Sequence, residues 1–178
     1  MDALTFWKVI TVDESGLLDR VLRSLEAAGI RYCVIGGQAV NAYAEPLVSL
    51  DLDLVVATDE LDRLPAVLGD DVVIQRYPHS LNVSAAGSDL RIQFQLDPRY
   101  AAFVDRAAVA TVLGLRLPVA SAADVLDGKV WAAQDATRRP SKRLKDLADI
   151  ARLLEVQPEL RSRVPVEVMA RLGGGWAA

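Results

Sequence analysis

Apolar residues follow two rhythms along this chain, and the switches between them mark its elements. Across residues 14–28 the apolar positions Leu17, Leu18, Val21, Leu22 and Leu25 recur at helical spacing, and Gly29 is placed to end the helix. Residues 31–35 form a short apolar run, predicted as a buried strand, which Gly36-Gly37 interrupts. Residues 38–44 suit a short helix stopped before Pro46. Over 49–57 the period becomes two, with Leu50, Leu52 and Leu54 alternating against Ser49, Asp51 and Asp53. Thr58 is positioned to cap a helix over 59–68.

Strand-like runs at 72–76 and 80–84 lead to a turn at Ala85-Ala86-Gly87-Ser88. Residues 90–97 alternate cleanly, Leu90, Ile92, Phe94 and Leu96 on one face and Arg91, Gln93, Gln95 and Asp97 on the other. That pattern predicts a half-buried strand with a polar second face. Residues 100–108 read as helical and 112–119 as a hairpin around Gly114.

Helices follow to the end. Ser121 is expected to cap a helix over 122–134, and 135–141 is a polar loop containing Pro140. Residues 142–155 form an amphipathic helix with Leu144, Leu147, Ile150, Ala151 and Leu154 on its apolar side. A last helix covers 166–172, and the Gly173-Gly174-Gly175 tail is expected to be mobile. The pattern predicts an α+β fold. Residues 1–120 form a small mixed β-sheet flanked by helices, and 121–178 a C-terminal helical annex packed on that core.

Composition narrows the function classes. The chain has 178 residues, 52% hydrophobic and 25% charged, an ordinary globular balance. A net charge of -4 argues against coating nucleic acid by bulk charge. Arg138, Arg139, Lys142, Arg143 and Lys145 nevertheless form one dense basic cluster. It is either a solvated helix face balanced by Asp146 and Asp149 or a landing site for a triphosphate or an RNA backbone. The single cysteine, Cys33, excludes a disulfide framework within the chain and lies in an apolar run, as a buried thiol would. The N-terminus shows no basic-then-apolar leader, and no apolar run approaches the ~20 residues that span a bilayer. A cytoplasmic protein without membrane contact is expected. No cysteine–histidine cluster, serine-hydrolase elbow or Walker-type loop is present, and the lone His79 falls in a loop.

The candidate chemistry lies between Gly36 and Asp53. Two glycines that end a strand and open a helix let the backbone approach a phosphate, and a helix N-terminus favours negative charge. On the next strand Asp51 and Asp53 stand two residues apart, so both carboxylates leave the same face. Paired carboxylates on a rigid strand repel unless a cation lies between them, which makes them a natural Mg²⁺ site for positioning nucleotide phosphates. Taken alone, each half also has a bland reading, a tight turn and a solvated strand face.

Gly36-Gly37, thirteen intervening residues and Asp51-Leu52-Asp53-Leu54 resemble the signature of the nucleotidyltransferase superfamily related to DNA polymerase β. More closely, the chain resembles the AbiEii/AbiGii-type nucleotidyltransferases, which include toxins of bacterial toxin–antitoxin systems. Ala123-Asp124-Val125-Leu126-Asp127-Gly128-Lys129 and Ser141-Lys142-Arg143-Leu144-Lys145-Asp146-Leu147-Ala148-Asp149-Ile150 are similar to the family's C-terminal segments. The resemblance runs from about Leu17 to Glu155. It implies transfer of a nucleoside monophosphate from a nucleoside triphosphate to an acceptor hydroxyl, with Mg²⁺ or Mn²⁺ held by Asp51 and Asp53. It also implies Gly36, Gly37 and Ser49 along the triphosphate, with Lys145 as a basic neighbour, and Lys129 and Asp146 in the catalytic set. The partners it implies are the triphosphate, an RNA such as tRNA as acceptor, and a cognate antitoxin. The residues themselves leave Lys129 two roles, pairing with an acid or reaching the nucleotide.

One departure stands out. Active members of the superfamily usually carry a third carboxylate on a neighbouring strand, and by position residues 91–95 should supply it. They offer Gln93, whose amide cannot act as a general base. Asp97 and Asp89 lie roughly 13 Å from Gln93 along an extended strand. Three readings follow: an enzyme, a binding or regulatory module, or an adenylyltransferase acting on a small cationic acceptor of the aminoglycoside type.

Overall fold

The computed structural model describes residues 15–173 together with Thr5 and Asp13. Residues 1–4, where no leader is expected, Glu14 at the start of the first predicted helix, and Gly174-Gly175 of the tail lie outside the described residues.

The chain runs α1 (Leu17–Ala27), β1 (Tyr32–Ile35), α2 (Gly36–Val40), β2 (Asp51–Val56), α3 (Leu64–Leu68), β3 (Val73–Arg76), β4 (Ser80–Ser84) and β5 (Arg91–Gln95). It continues through β6 (Ala108–Val112), β7 (Leu115–Val119), α4 (Ala122–Gln134), α5 (Pro140–Val156) and α6 (Val166–Arg171). Short 3-10 segments occupy Thr58–Arg63, Pro98–Arg106 and Pro158–Arg163.

The described strands form one seven-stranded sheet in the order β3-β4-β5-β2-β1-β7-β6. The sheet is mixed: β2 pairs parallel with β5 and antiparallel with β1, and β1 meets β7 in parallel. The fold is α+β, as the pattern of elements predicts. Leu52, Leu54, Ile92 and Phe94 on β2 and β5 are fully buried, and burial of each such side chain contributes ~1.5–3 kcal/mol. Their neighbours Asp51, Asp53, Gln93 and Gln95 keep partial access to solvent on the other face. One buried apolar cluster joins the sheet to α1, α4, α5 and α6. Cys33 lies inside it, where burial first, and the charge of Asp124 second, push its thiol up to about 12. Among the described residues no helix is long and apolar enough to cross a membrane.

Several elements depart from the sequence reading. The short helix starts on Gly36 rather than at 38, and β2 starts at Asp51, leaving Leu50 43% exposed. Thr58 opens a 3-10 turn instead of capping a helix, because Pro65 has no N–H to continue an α-helix back to Leu61. The hairpin begins at Ala108: Leu113 and Gly114 both take positive φ, 55° and 80°, in the two-residue turn that suits tightly twisted strands. Pro140 occupies the first position of α5, where its missing N–H costs nothing. Leu144, assigned to the apolar side of that helix, is 66% exposed. The buried face instead carries Asp146 and Asp149 beside Leu147, Ile150, Leu153 and Leu154.

Candidate active site

The strand-turn-strand unit β1–α2–β2 brings the glycines against the aspartates. Gly36 takes φ +67°, and a Cβ there would fall 2.1 Å from Asp53 Oδ2. Only glycine fits, on both conformational and steric grounds. A Cβ on Gly37 would lie 3.2 Å from Ser49 Oγ and 3.9 Å from Lys145 Nζ, so Gly37, Ser49 and Lys145 share one corner. The buried Gln38 fixes that corner by donating Nε2 to the Ser49 carbonyl at 2.9 Å. Because α2 spans just five residues, its helix dipole contributes little here.

Asp51 and Asp53 share the polar face of β2 but have different surroundings. Arg91 Nε stands 3.1 Å from Asp51 Oδ1, and Lys142 Nζ 3.5 Å from Asp51 Oδ2. Asp53 makes no hydrogen bond or ion pair among the described residues. Burial is the largest influence on it and raises its pKa; the attraction of Lys129 only partly offsets this, and the repulsion of Asp51 adds to it. The register of the parallel pair sets Gln93 directly beside Asp53 and Arg91 beside Asp51. Asn82 on β4 continues the same row past Gln93.

Behind Asp53, α4 and α5 hold a buried charge network. Lys129 Nζ lies 2.7 Å from Asp149 Oδ2 and 3.1 Å from Asp146 Oδ1. Asp146 also receives Arg138 Nε at 2.7 Å, and Asp149 receives Arg152 Nη1 at 2.8 Å. Arg152 in turn donates to Asn41 Oδ1 at 2.8 Å and to the Glu45 carbonyl, on the loop that leads into β2. Burial alone would pull the Lys129 ammonium down. Asp149, then Asp146, outweigh that and hold its pKa above the ordinary value.

Asp53, Gln93, Lys129, Arg138 and Asp146 line a cleft of about 540 Å³. Its far wall is the aromatic cluster Tyr100, Phe103 and Trp131, with ring centroids 5.1–5.9 Å apart. The Arg99 guanidinium lies 4.9 Å from the Trp131 ring centroid and is held by Asp97, to which Nη2 donates at 2.7 Å. Gly128 admits the Tyr100 ring, since a Cβ there would come 3.0 Å from it. His79 also reaches this cleft. Among the described residues no three His, Cys, Asp or Glu side chains cluster in a way that holds a metal ion.

Of the residues singled out from sequence, Gly36 meets Asp53, Gly37 meets Ser49 and Lys145, and Lys129 meets Asp146. The basic cluster divides: Arg138 turns to Asp146, Lys142 to Asp51 and Lys145 to the Gly37 corner. The sequence reading missed Arg91 beside Asp51 and the Asp149–Arg152 arm. The first was legible only given the β2–β5 register; the second appeared there as charge balance on a solvated face.

The same arrangement of sheet and helices recurs in solved structures. ANT(2'')-Ia in complex with adenylyl-2''-tobramycin aligns with a TM-score of 0.57 at 15% identity, covering 83% of this chain and 96% of that one. Lincosamide antibiotic adenylyltransferase LnuA, lincomycin-bound, gives 0.53 at 13% identity, over 80% and 99%. An antigenic nucleotidyltransferase-like protein from Paracoccidioides brasiliensis gives 0.50 at 17% identity, over 91% and 88%. The chain has the nucleotidyltransferase fold. No protein-family model and no curated protein matches the sequence.

In this nucleotidyltransferase fold Gly36, Asp53 and the β5 amide of Gln93 line the same cleft, with Asp51 two residues away along β2. Chemically the arrangement offers hard oxygen donors at Asp51 and Asp53, the latter seated against Gly36, and cations at Lys142 and Lys145 for phosphate oxygens. It offers no carboxylate at the Gln93 position.

Proposed function

We propose that this protein moves a nucleoside monophosphate from a nucleoside triphosphate to an acceptor hydroxyl. The observation that carries the reading is the fit of Asp53 Oδ2 against Gly36, where the strand carboxylate and the glycine turn share one mouth of the cleft. In that reaction the acceptor oxygen bonds to the α-phosphorus, the bond from that phosphorus to the bridging oxygen breaks, and pyrophosphate leaves. Gln93 cannot take the hydroxyl proton, so it passes to water in the open cleft.

The donor set fits a Mg²⁺ or Mn²⁺ ion that arrives with the triphosphate. Such ions are commonly held by one or two carboxylates plus substrate phosphates rather than by an all-protein cage. Asp51 and Asp53 would hold it, and Asp53, largely desolvated in the cleft and without an ion-pair partner among the described residues, is the carboxylate with most to gain from a cation. When bound, the ion supplies Lewis-acid polarisation of the phosphoryl oxygens. Gly36, Gly37 and Ser49 would lie along the triphosphate, and Lys145, close to Gly37, would neutralise it. Lys129 and Asp146 act from behind: Lys129, buried and paired, supplies positive field to Asp53, and Asp146 holds Arg138 at the cleft.

Two acceptor classes have separate support. The AbiEii-type resemblance points to RNA such as tRNA, and to a toxin restrained by an antitoxin. Asp135 on the cleft wall, together with a fold shared with antibiotic adenylyltransferases, supports a small amine-bearing acceptor, Asp97 being taken up by Arg99. A second reading, a nucleotide-binding or regulatory module, is favoured by Gln93 standing beside Asp53.

Label transfer separates them. The protein is incubated with Mg²⁺, each α-labelled triphosphate in turn, and total RNA or an aminoglycoside panel, beside an Asp51→Asn/Asp53→Asn control. Label in RNA or in an antibiotic, lost in the control, establishes transfer and names the acceptor class. Mg²⁺-dependent triphosphate binding without label in any acceptor establishes the binding module. Growth arrest on expression, relieved by co-expressing a neighbouring small protein, is the outcome expected of a toxin.

A further inference from the structure

Asp51 is already matched by cations, whereas Asp53 is not. Arg91 approaches one oxygen of Asp51 from β5 at 3.1 Å, and Lys142 approaches the other from α5 at 3.5 Å. Both contacts are loose. Asp51 Oδ1 has no aligned hydrogen bond despite its charged neighbour, and 3.5 Å is the outer limit of one for Lys142. The side chains of Arg91 and Lys142 are 65% and 36% exposed, so attraction to the carboxylate, not packing, holds their heads in place. The β2–β5 register keeps Arg91 at this position and Gln93 beside Asp53. Lys145 lies at the neighbouring Gly37 corner.

We infer that Arg91 and Lys142 are an exchangeable internal counter-ion of Asp51, which closes the carboxylate pair to a bare divalent ion and opens it when a triphosphate arrives. The inference rests on the transfer reading above. A bare ion reaching Asp51 must displace two cations and stay beside them, so the attraction to the carboxylates is met by like-charge repulsion. A metal–triphosphate brings phosphate oxygens that receive the displaced heads, so every charge keeps a partner through the exchange. Metal affinity is thereby conditional on substrate, and Arg91 and Lys142 end on the triphosphate.

Equilibrium dialysis of Mn²⁺ against the full chain tests this, with and without inorganic tripolyphosphate, in wild type, Arg91→Met, Arg91→Met/Lys142→Met and the conservative Arg91→Lys. Wild type is expected to retain Mn²⁺ poorly alone and well with tripolyphosphate. The double variant should retain Mn²⁺ alone about tenfold more tightly than wild type and gain little from tripolyphosphate, with Arg91→Met intermediate and Arg91→Lys close to wild type. Circular dichroism establishes that each variant is folded, and the single variants carry the test if the double one is not. Equal Mn²⁺ affinity of wild type and variants, with tripolyphosphate still promoting retention, overturns the counter-ion role and leaves the transfer reading intact. Failure of every protein to retain Mn²⁺ with tripolyphosphate overturns both.

Discussion

Lys129 Nζ and Asp149 Oδ2 stand 2.7 Å apart between α4 and α5, with side chains only 10% and 2% exposed. A buried cation with two carboxylates and two arginines around it is a network in which the partners are not equivalent. Asp149→Ala leaves Lys129 with Asp146 alone and takes from Arg152 its carboxylate partner, while Asn41 and the Glu45 carbonyl remain to it. Removing one partner of a buried pair costs about 3 kcal/mol or more, and urea unfolding should read a loss of that size. Lys129→Met keeps most of the volume and leaves each aspartate its own arginine, so the expected loss is smaller, under about 2 kcal/mol. The reverse order would mean that Asp149 is incidental. The sign of the pH effect follows from the raised Lys129 pKa. Its stabilisation is complete below the unfolded value, 10.5, and is lost as pH rises through the folded one. Asp149→Ala should therefore flatten the alkaline limb of the stability profile.

Asp53→Asn should stabilise the fold while abolishing label transfer. Burial raises the pKa of Asp53, so its favourable contribution exists below the unfolded value of 3.8 and is lost as pH climbs through the folded one. Once ionised the desolvated carboxylate is a liability, and the amide removes it. Calorimetry is expected to show a rise in melting temperature, each 1 kcal/mol being worth ~2–4 °C in a chain of this size. A lower melting temperature than wild type would show that Asp53 supports the fold instead.

Gly36→Ala places a methyl group 2.1 Å from Asp53 Oδ2 and forces an L-residue to φ +67°. The strain alone is worth roughly 1–3 kcal/mol, and the carboxylate must also move. Transfer activity is expected to fall at least as far as in Asp53→Asn, with reduced stability where that variant gains it. Gly29→Ala also sits at positive φ but meets nothing within 4 Å, so it should lose stability and keep activity.

Gln93→Asp supplies a third carboxylate beside Asp53 on the neighbouring strand. Mn²⁺ retention with tripolyphosphate should tighten, and any label transfer should accelerate by the 10²–10⁴-fold that a positioned base contributes. Unchanged transfer would mean that proton removal does not limit the reaction.

Several features were readable from local pattern. The alternation of Leu52 and Leu54 with Asp51 and Asp53 predicted β2 and the face its carboxylates share, and Ser121 predicted the start of α4, where its Oγ accepts the Asp124 N–H at 3.2 Å. The α5 helix was legible as a helix but not in its orientation. Leu144 is apolar and exposed, while Asp146 and Asp149 are charged and buried, because Lys129 from another element compensates them.

Periodicity and capping act over a few residues, so the chain's own order carries the helices, the strands and the Gly36-Gly37 and Asp51/Asp53 motifs. Which cation meets which carboxylate is different. Lys142 reaches Asp51 across 91 residues and Arg152 reaches Asn41 across 111, and no local pattern encodes those pairs. Arg91 lies beside Asp51, and Gln93 beside Asp53, because two parallel strands adopted one register. In a strand a shift of a single residue would have reversed the faces and left the carboxylates with different neighbours.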